Sequence, residues 1–285
     1  MQTLEKISNR FWYQTPVSET DRPILGVVIG EKRSLMIDAG NSEAHAKYFL
    51  SELEKNQIPQ PSLVVLTHWH WDHTFGLSAL DMISVASKKT KDELEKLVSF
   101  EWTDAALDER VKSGVEIEFC ASAIKKEFGS ERDIKIKLPE VTFEKRMDID
   151  LGEVTCQIEH VGGDHAQDSA IVYIKEEKIL FLGDAIYANL YASKRNQTVK
   201  RTLQLLDKID QFDAETYILS HWKPVSKHEY QEEAKLLRHI AQLTEQFEGR
   251  YDDIKIAYQS IINRDLNEDE LETLDYFVNG FELEK

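Results

Sequence analysis

Thr67-His68-Trp69-His70-Trp71-Asp72-His73 is the stretch that decides the fold. Three imidazoles and one carboxylate fall within the six residues from 68 to 73. Just upstream, Ser62-Leu63-Val64-Val65-Leu66 is a short apolar run with β-branched residues, which reads as a buried strand. Gly76 follows the cluster and marks a turn. The cluster is therefore predicted where a strand ends and the chain bends. Alternate residues of an extended segment point the same way. His68 and His70 then reach one point together, Asp72 keeps their parity, and His73 leaves it as the chain turns. Two convergent groups of ligand-type side chains predict two metal ions side by side. A solvated polar loop is the plain alternative, and this density of His and Asp argues against it.

The upstream chain supports that placement. Ile24 to Ile29 and Ser34 to Ile37 are apolar runs joined by Gly30-Glu31-Lys32, the pattern of a hairpin. Asp38 follows; it either caps the next element or orients a metal ligand. Ser42 reads as an N-cap for a helix from Glu43 to Lys55, with Ala44, Tyr48, Leu50 and Leu53 as its spaced apolar residues.

Downstream, the segment 88–138 reads as a helical insertion. One amphipathic helix is predicted from Lys88 to Lys112 and another near Val115 to Phe128. The insertion either walls a substrate site or is a passive surface addition, and Phe100 and Trp102 read as packing residues. Strand patterns return after Pro139, at 141–143, 147–151, 154–161, 169–174 and 178–182. Three further ligand-type residues then appear at strand ends. His165 follows Gly162-Gly163, Asp184 follows Gly183, and His221 follows the apolar run Tyr217-Ile218-Leu219. Strand ends that share one edge of a sheet are where such folds place chemistry. His45, His160, His228 and His239 lack this setting and read as structural or solvated. Tyr187, Tyr191, Lys194 and Arg195 are candidates for a substrate contact, with a solvated loop the commoner outcome for such a stretch. Trp69 reads as packing, while Trp71 and Trp222 are either packing or pocket residues. From Lys227 onward the pattern is helical, so the expected organisation is a unit over 1–225 with a helical extension over 226–285.

The composition sets limits. The chain has 285 residues and a formal net charge of −17. Such acidity repels phosphate backbones and anionic membranes, so neither nucleic acid nor membrane is an expected partner. The two cysteines, Cys120 and Cys156, read as reduced buried thiols. With no signal-peptide core and no long apolar run, a cytoplasmic location is expected. The sequence leaves the oligomeric state open.

The assembled residues resemble the metallo-β-lactamase superfamily over about residues 10 to 225. The H-x-H-x-D-H motif at 68–73, the isolated His165, Gly183-Asp184 and the last His221 appear in that family's order. The resemblance implies an α/β fold of four layers, an αββα sandwich. It implies one metal held by His68, His70 and His165, another by Asp72, His73 and His221, and Asp184 bridging the two. One departure is Gly163-Asp164-His165-Ala166, where the family often has Pro-Gly-His-Thr. Asp184 points away from the true β-lactamases, and His70 points away from the flavodiiron oxygen reductases, which resemble the motif with Glu there. The glyoxalase II-like and lactonase-like branches carry the full set. The implied activity is a dinuclear metal hydrolase, with zinc expected and iron or manganese possible. In it a bridging hydroxide attacks an ester, thioester or lactone carbonyl of a small molecule. Asp72 and Asp184 are the expected catalytic carboxylates, holding charge and moving a proton. A phosphodiesterase on the same site, or a di-iron redox or oxygen-sensing protein, are the rival readings.

Overall fold

The computed structural model describes residues 2–130 and 132–285. A strand that is apolar on both faces needs cover on both sides, and the two sheets of this chain provide that for each other. The first sheet holds β1 (Leu4–Lys6), β2 (Phe11–Gln14), β3 (Leu25–Ile29), β4 (Ser34–Ile37), β5 (Leu63–Val65), β6 (Ile83–Ser87) and β7 (Val141–Phe143), side by side in chain order. Its first three pairings are antiparallel and its last three parallel. The second sheet holds β8 (Arg146–Asp150), β9 (Thr155–His160), β10 (Ala170–Ile174), β11 (Ile179–Gly183), β12 (Thr216–Leu219) and β13 (Pro224–Ser226), again in chain order. Only its pairing of β11 with β12 is parallel.

The period-2 alternation of side chains sorts residues into layers. Leu35 and Ile37 of β4 face Val172 of β10 and Phe181 of β11 between the sheets. Met36 points the other way, toward Phe49 and Leu53 of α1 (Glu43–Lys55). Ile171 and Leu180 turn outward to meet Leu206 and Leu237. Each fully buried Leu, Ile or Phe contributes about 1.5–3 kcal/mol, so this dry middle layer holds the halves together. Outside the first sheet lie α1, α2 (Trp71–Thr74), α3 (Lys88–Leu97), α4 (Asp104–Ser113) and α5 (Glu118–Phe128). Outside the second lie α6 (Val199–Ile209), α7 (Lys227–Gln246), α8 (Tyr251–Ile262) and α9 (Glu268–Leu283). The expected αββα sandwich is the observed architecture.

Several local expectations need correction. The helix expected over 88–112 is two helices, α3 and α4. Thr103 restarts the chain as an N-cap, its side chain accepting from Ala106 N at 3.2 Å. Between the helices Phe100 and Trp102 turn in, and the Arg110 guanidinium lies 4.8 Å from both ring centroids. The buried face of α1 is His45, Ala46, Phe49 and Leu53, rather than one centred on Ala44, Tyr48 and Leu50. His45 belongs to that face as a structural residue. Burial holds its imidazole well below the usual range, and it lies 3.1 Å from Gln2 Nε2. The amphipathic helix α6 and the edge strands β1 and β13 have no counterpart among the expected elements. Cys120 and Cys156 are both free and buried, as expected. No helix among the described residues is long and apolar enough to cross a membrane.

Candidate metal centre

All seven ligand-type residues gather at one end of the sandwich. β5 ends at Val65, and the following loop carries His68 and His70; Asp72 and His73 sit in α2. So parity brings His68 and His70 together loosely, while helical geometry, rather than strand parity, directs Asp72 and His73. His165 lies in the loop between β9 and β10, Asp184 directly after β11, and His221 two residues after β12. The side chains fall into two sets. Those of His68, His70 and His165 converge within 4.8 Å of one another, as do those of Asp72, His73, Asp184 and His221. Asp184 Oδ2 joins the sets, 3.3 Å from His165 Nε2, 3.4 Å from His73 Nε2 and 3.2 Å from His221 Nε2.

The two sheets meet closely here. Gly183 has φ +58°, and a Cβ on it would stand 3.0 Å from the Thr67 Cβ. A glycine accepts both the left-handed backbone and the close approach, which sets Asp184 against the metal loop. Thr67 O also accepts from Ala170 N at 2.7 Å, tying the first sheet's loop to β10.

Instead of capping the next element, whose N-cap is Ser42, Asp38 bonds Thr67 and the ligand-type His73. It is fully buried with φ +59°. Its Oδ1 accepts from Thr67 N at 2.7 Å, and its Oδ2 accepts from Thr67 Oγ1 at 2.9 Å and from His73 Nδ1 at 2.8 Å. Thr67 Oγ1, having spent its proton on Asp38, accepts from His68 Nδ1 at 3.1 Å. His165 Nδ1 donates to Ala188 O at 3.0 Å. Three imidazoles thus have Nδ1 engaged, which leaves the Nε2 lone pair to face the site.

Those inward atoms have nothing to bond. Among the described residues, Nε2 of His68, His73 and His165, Oδ2 of Asp72 and Oδ1 of Asp184 are buried without a hydrogen-bond partner. His73 Nε2 and Asp72 Oδ2 are only 3.0 Å apart yet misaligned for a hydrogen bond. A buried unpaired polar group costs about 1–3 kcal/mol. Several such atoms aimed at two common points fit a pair of cations, and the N/O donor set is one that zinc accepts.

The electrostatics agree. Burial holds His68 and His70 well below the usual imidazole range, so they are neutral and can donate a lone pair. Burial alone would raise Asp72 and Asp184, but the imidazoles of His73 and His221 hold both well below the carboxylate range. The same carboxylates overcome burial to lift His73 and His221 well above theirs. Metal binding replaces such protons.

A cavity of about 330 Å³ opens beside this cluster. Tyr187 and Tyr191 line it, so these two face the cavity beside the cluster and are not part of a solvated loop. Lys194 and Arg195 lie outside it, paired with Glu282 and Glu272. The insertion contributes Phe119 and Cys120, and α9 contributes Glu272 and Tyr276, so both segments wall the site. Asp21 borders it unforeseen, its Oδ1 3.5 Å from His221 Nδ1, with burial pushing its carboxyl up to about 7. Asp164, at the departure from the family pattern, accepts from Thr198 N at 2.8 Å and anchors the His165 loop to α6. Trp71 is buried packing, and Trp222 is 63% exposed and lines no part of the cavity. Trp69 packs beside His70, its ring centroid 4.7 Å from that imidazole. His160, His228 and His239 stay apart from the cluster.

Residues 20–221 match the family described as the Metallo-beta-lactamase superfamily. The chain belongs to this superfamily. The acyl-coenzyme A thioesterase MBLAC2 of Gallus gallus is 26% identical over 190 residues, covering 63% of this chain and 64% of that protein. Its Homo sapiens counterpart is 25% identical over 186 residues, covering 62% and 63%. The chain thus spans a little under two thirds of the length of these curated relatives. Two solved structures share the fold. The sec-alkylsulfatase Pisa1 from Pseudomonas sp. has a TM-score of 0.67 at 16% identity, covering 99% of this chain and 49% of that one. TMB-1 has a TM-score of 0.58 at 19% identity, covering 85% and 98%. Its clustered ligand-type residues lie within or at the edge of the stretch that matches this superfamily.

Proposed function

We propose that this superfamily member uses two zinc ions to hydrolyse an ester, thioester or lactone carbonyl of a small molecule. The observation that carries the reading is the pair of converging unpaired donor sets joined by Asp184 Oδ2. His68, His70 and His165 would hold one ion, Asp72, His73 and His221 the other, and Asp184 would be shared between them. Two such ions supply an activated water and polarise the carbonyl oxygen. The chain's own residues do the rest. Asp38 and Thr67 fix the rings of His73 and His68. Asp72 and Asp184 balance the charge and move the proton released by the attacking water to the leaving group. Tyr187 and Tyr191 hold the acyl part beside them and keep bulk water out.

The cavity's size lies at the small end of the range for small-molecule sites. Its aromatic walls suit an apolar acyl group, and the relatives named acyl-coenzyme A thioesterases make a thioester the first substrate to test. In this reading residues 1–225 form the hydrolase unit, and 226–285 an extension whose α9 closes the cavity.

The test is a screen of metal-quantified protein against thioesters, esters, lactones, phosphodiesters and β-lactams. Turnover of a carbonyl substrate, lost on chelation and restored by zinc, is expected. Turnover of phosphodiesters alone, or a coloured iron centre that changes on reduction without hydrolysis, would overturn the proposal. Asp38→Asn is expected to weaken zinc binding about 10–100-fold in a competitive titration against a chelating dye. Wild-type affinity in that variant would remove Asp38 from the site's support. Zinc is also expected to raise the melting temperature by several degrees, since it binds only the folded chain.

A further inference from the structure

Behind the metal loop lies a second, smaller cavity of about 140 Å³. Aromatic rings dominate its walls: Trp69, Trp71, Phe75, Phe100 and Trp102, with Leu97 closing one side. One residue, Tyr191, lines both this chamber and the cavity at the metal cluster. Its ring centroid is 5.1 Å from that of His70 and 5.8 Å from that of Trp69. Its hydroxyl bonds Cys120 Sγ at 3.6 Å, and Cys120 itself lines the metal cavity. Tyr191 stands in a loop between Asp184 and α6, outside any regular element. A side chain in such a loop is easier to displace than one in a strand or helix.

We propose that the aromatic chamber is an acyl-chain subsite and that Tyr191 is the partition that sets how long an acyl chain the site accepts. The inference rests on the carbonyl-hydrolase reading above for the identity of the occupant. A dry apolar cavity of about 150 Å³ holds a benzene-sized group, on the order of six carbons. The chamber has that size, and rings make up the larger part of its wall. Glu93, Lys96 and Glu116 lie at its polar margin, and the far end of the chain lies among the rings. With Tyr191 in place, a chain lying beside His70 ends against the phenol ring. With the ring removed, the two cavities join and the chain runs on.

The experiment titrates the zinc-loaded protein with straight-chain fatty acids of increasing length, read by tryptophan fluorescence. In the wild type, affinity is expected to rise with length and then level off. Tyr191→Phe is expected to level off at the same length. Tyr191→Ala is expected to level off about six carbons later. Val115 is 53% exposed at the rim of the chamber, so Val115→Trp adds bulk without disturbing the core. Combined with Tyr191→Ala, it is expected to restore the wild-type limit. Should Tyr191→Ala melt early, Tyr191→Leu carries the same expectation with part of the ring's bulk retained. A limit that stays put in the folded Ala and Leu variants, or one that moves equally in Tyr191→Phe, would overturn the proposal. The reading beneath it fails separately. A limit that moves in a protein that hydrolyses no carbonyl substrate supports the partition and refutes the hydrolase assignment.

Discussion

Asp184→Ala is expected to lower kcat/KM on a carbonyl substrate at least about 10³-fold, equivalent to about 4 kcal/mol of transition-state stabilisation. It is also expected to lose one of two zinc equivalents. Asp184 Oδ2 lies 3.2–3.4 Å from imidazoles of both sets. Removing it would take away the carboxylate placed between the two sets, so two cations held there would repel without that shared counter-charge. The fold itself is expected to survive. Asp184 follows the last residue of β11, and its Oδ1 bonds nothing among the described residues. Zinc per chain by mass spectrometry, a circular-dichroism melt and steady-state rates separate these outcomes. Full activity with both equivalents retained would remove Asp184 from the bridge.

Gly76→Ala is expected to cost about 1–3 kcal/mol by overpacking, toward the upper end because the obstacle is main chain. A Cβ on Gly76 would stand 2.0 Å from Ala39 O and 2.8 Å from Ser42 O, while Gly76 N already donates to Gly40 O at 2.9 Å. Neither backbone can yield alone. The segment 38–42 carries Asp38 and the Ser42 N-cap of α1, and Gly76 closely follows α2 with Asp72 and His73. Any shift therefore separates Asp38 from His73, and metal affinity is expected to fall together with the melting temperature. A variant that melts within a degree of the wild type and binds zinc as tightly would show that the contact relaxes freely.

The clustered ligand-type residues were legible in the sequence because each follows an apolar strand pattern, and most have a glycine nearby to let the backbone turn. The layer order came from the resemblance to the metallo-β-lactamase superfamily, since runs such as Ser34 to Ile37 are apolar on both faces and give a buried strand without saying what covers it. What the sequence hid depends on contacts between distant segments. Arg22 pairs with Glu127 at 2.6 Å across 105 residues, and Ser42 bonds the same carboxylate. These contacts seat α5 over the site, and no local pattern announces them. Tyr187 and Tyr191 sit in an irregular loop with no period to read, so their inward direction comes only from packing against His165, His70 and Cys120. His45 looked polar on a polar helix because its partners, Gln2 and Asn41, lie outside the helix. The split between α3 and α4 follows from Arg110 stacking on Phe100 and Trp102, a three-residue arrangement that helical spacing alone does not reveal.

The central claim is a pair of metal ions held by these seven side chains. Anomalous scattering at the zinc edge from crystals of the zinc-loaded protein tests it most directly. Two peaks are predicted. One should lie about 2.0–2.1 Å from nitrogens of His68, His70 and His165, the other at that distance from ligand atoms of Asp72, His73 and His221, with Asp184 Oδ2 between them. A single peak, or peaks away from these side chains, would contradict the account.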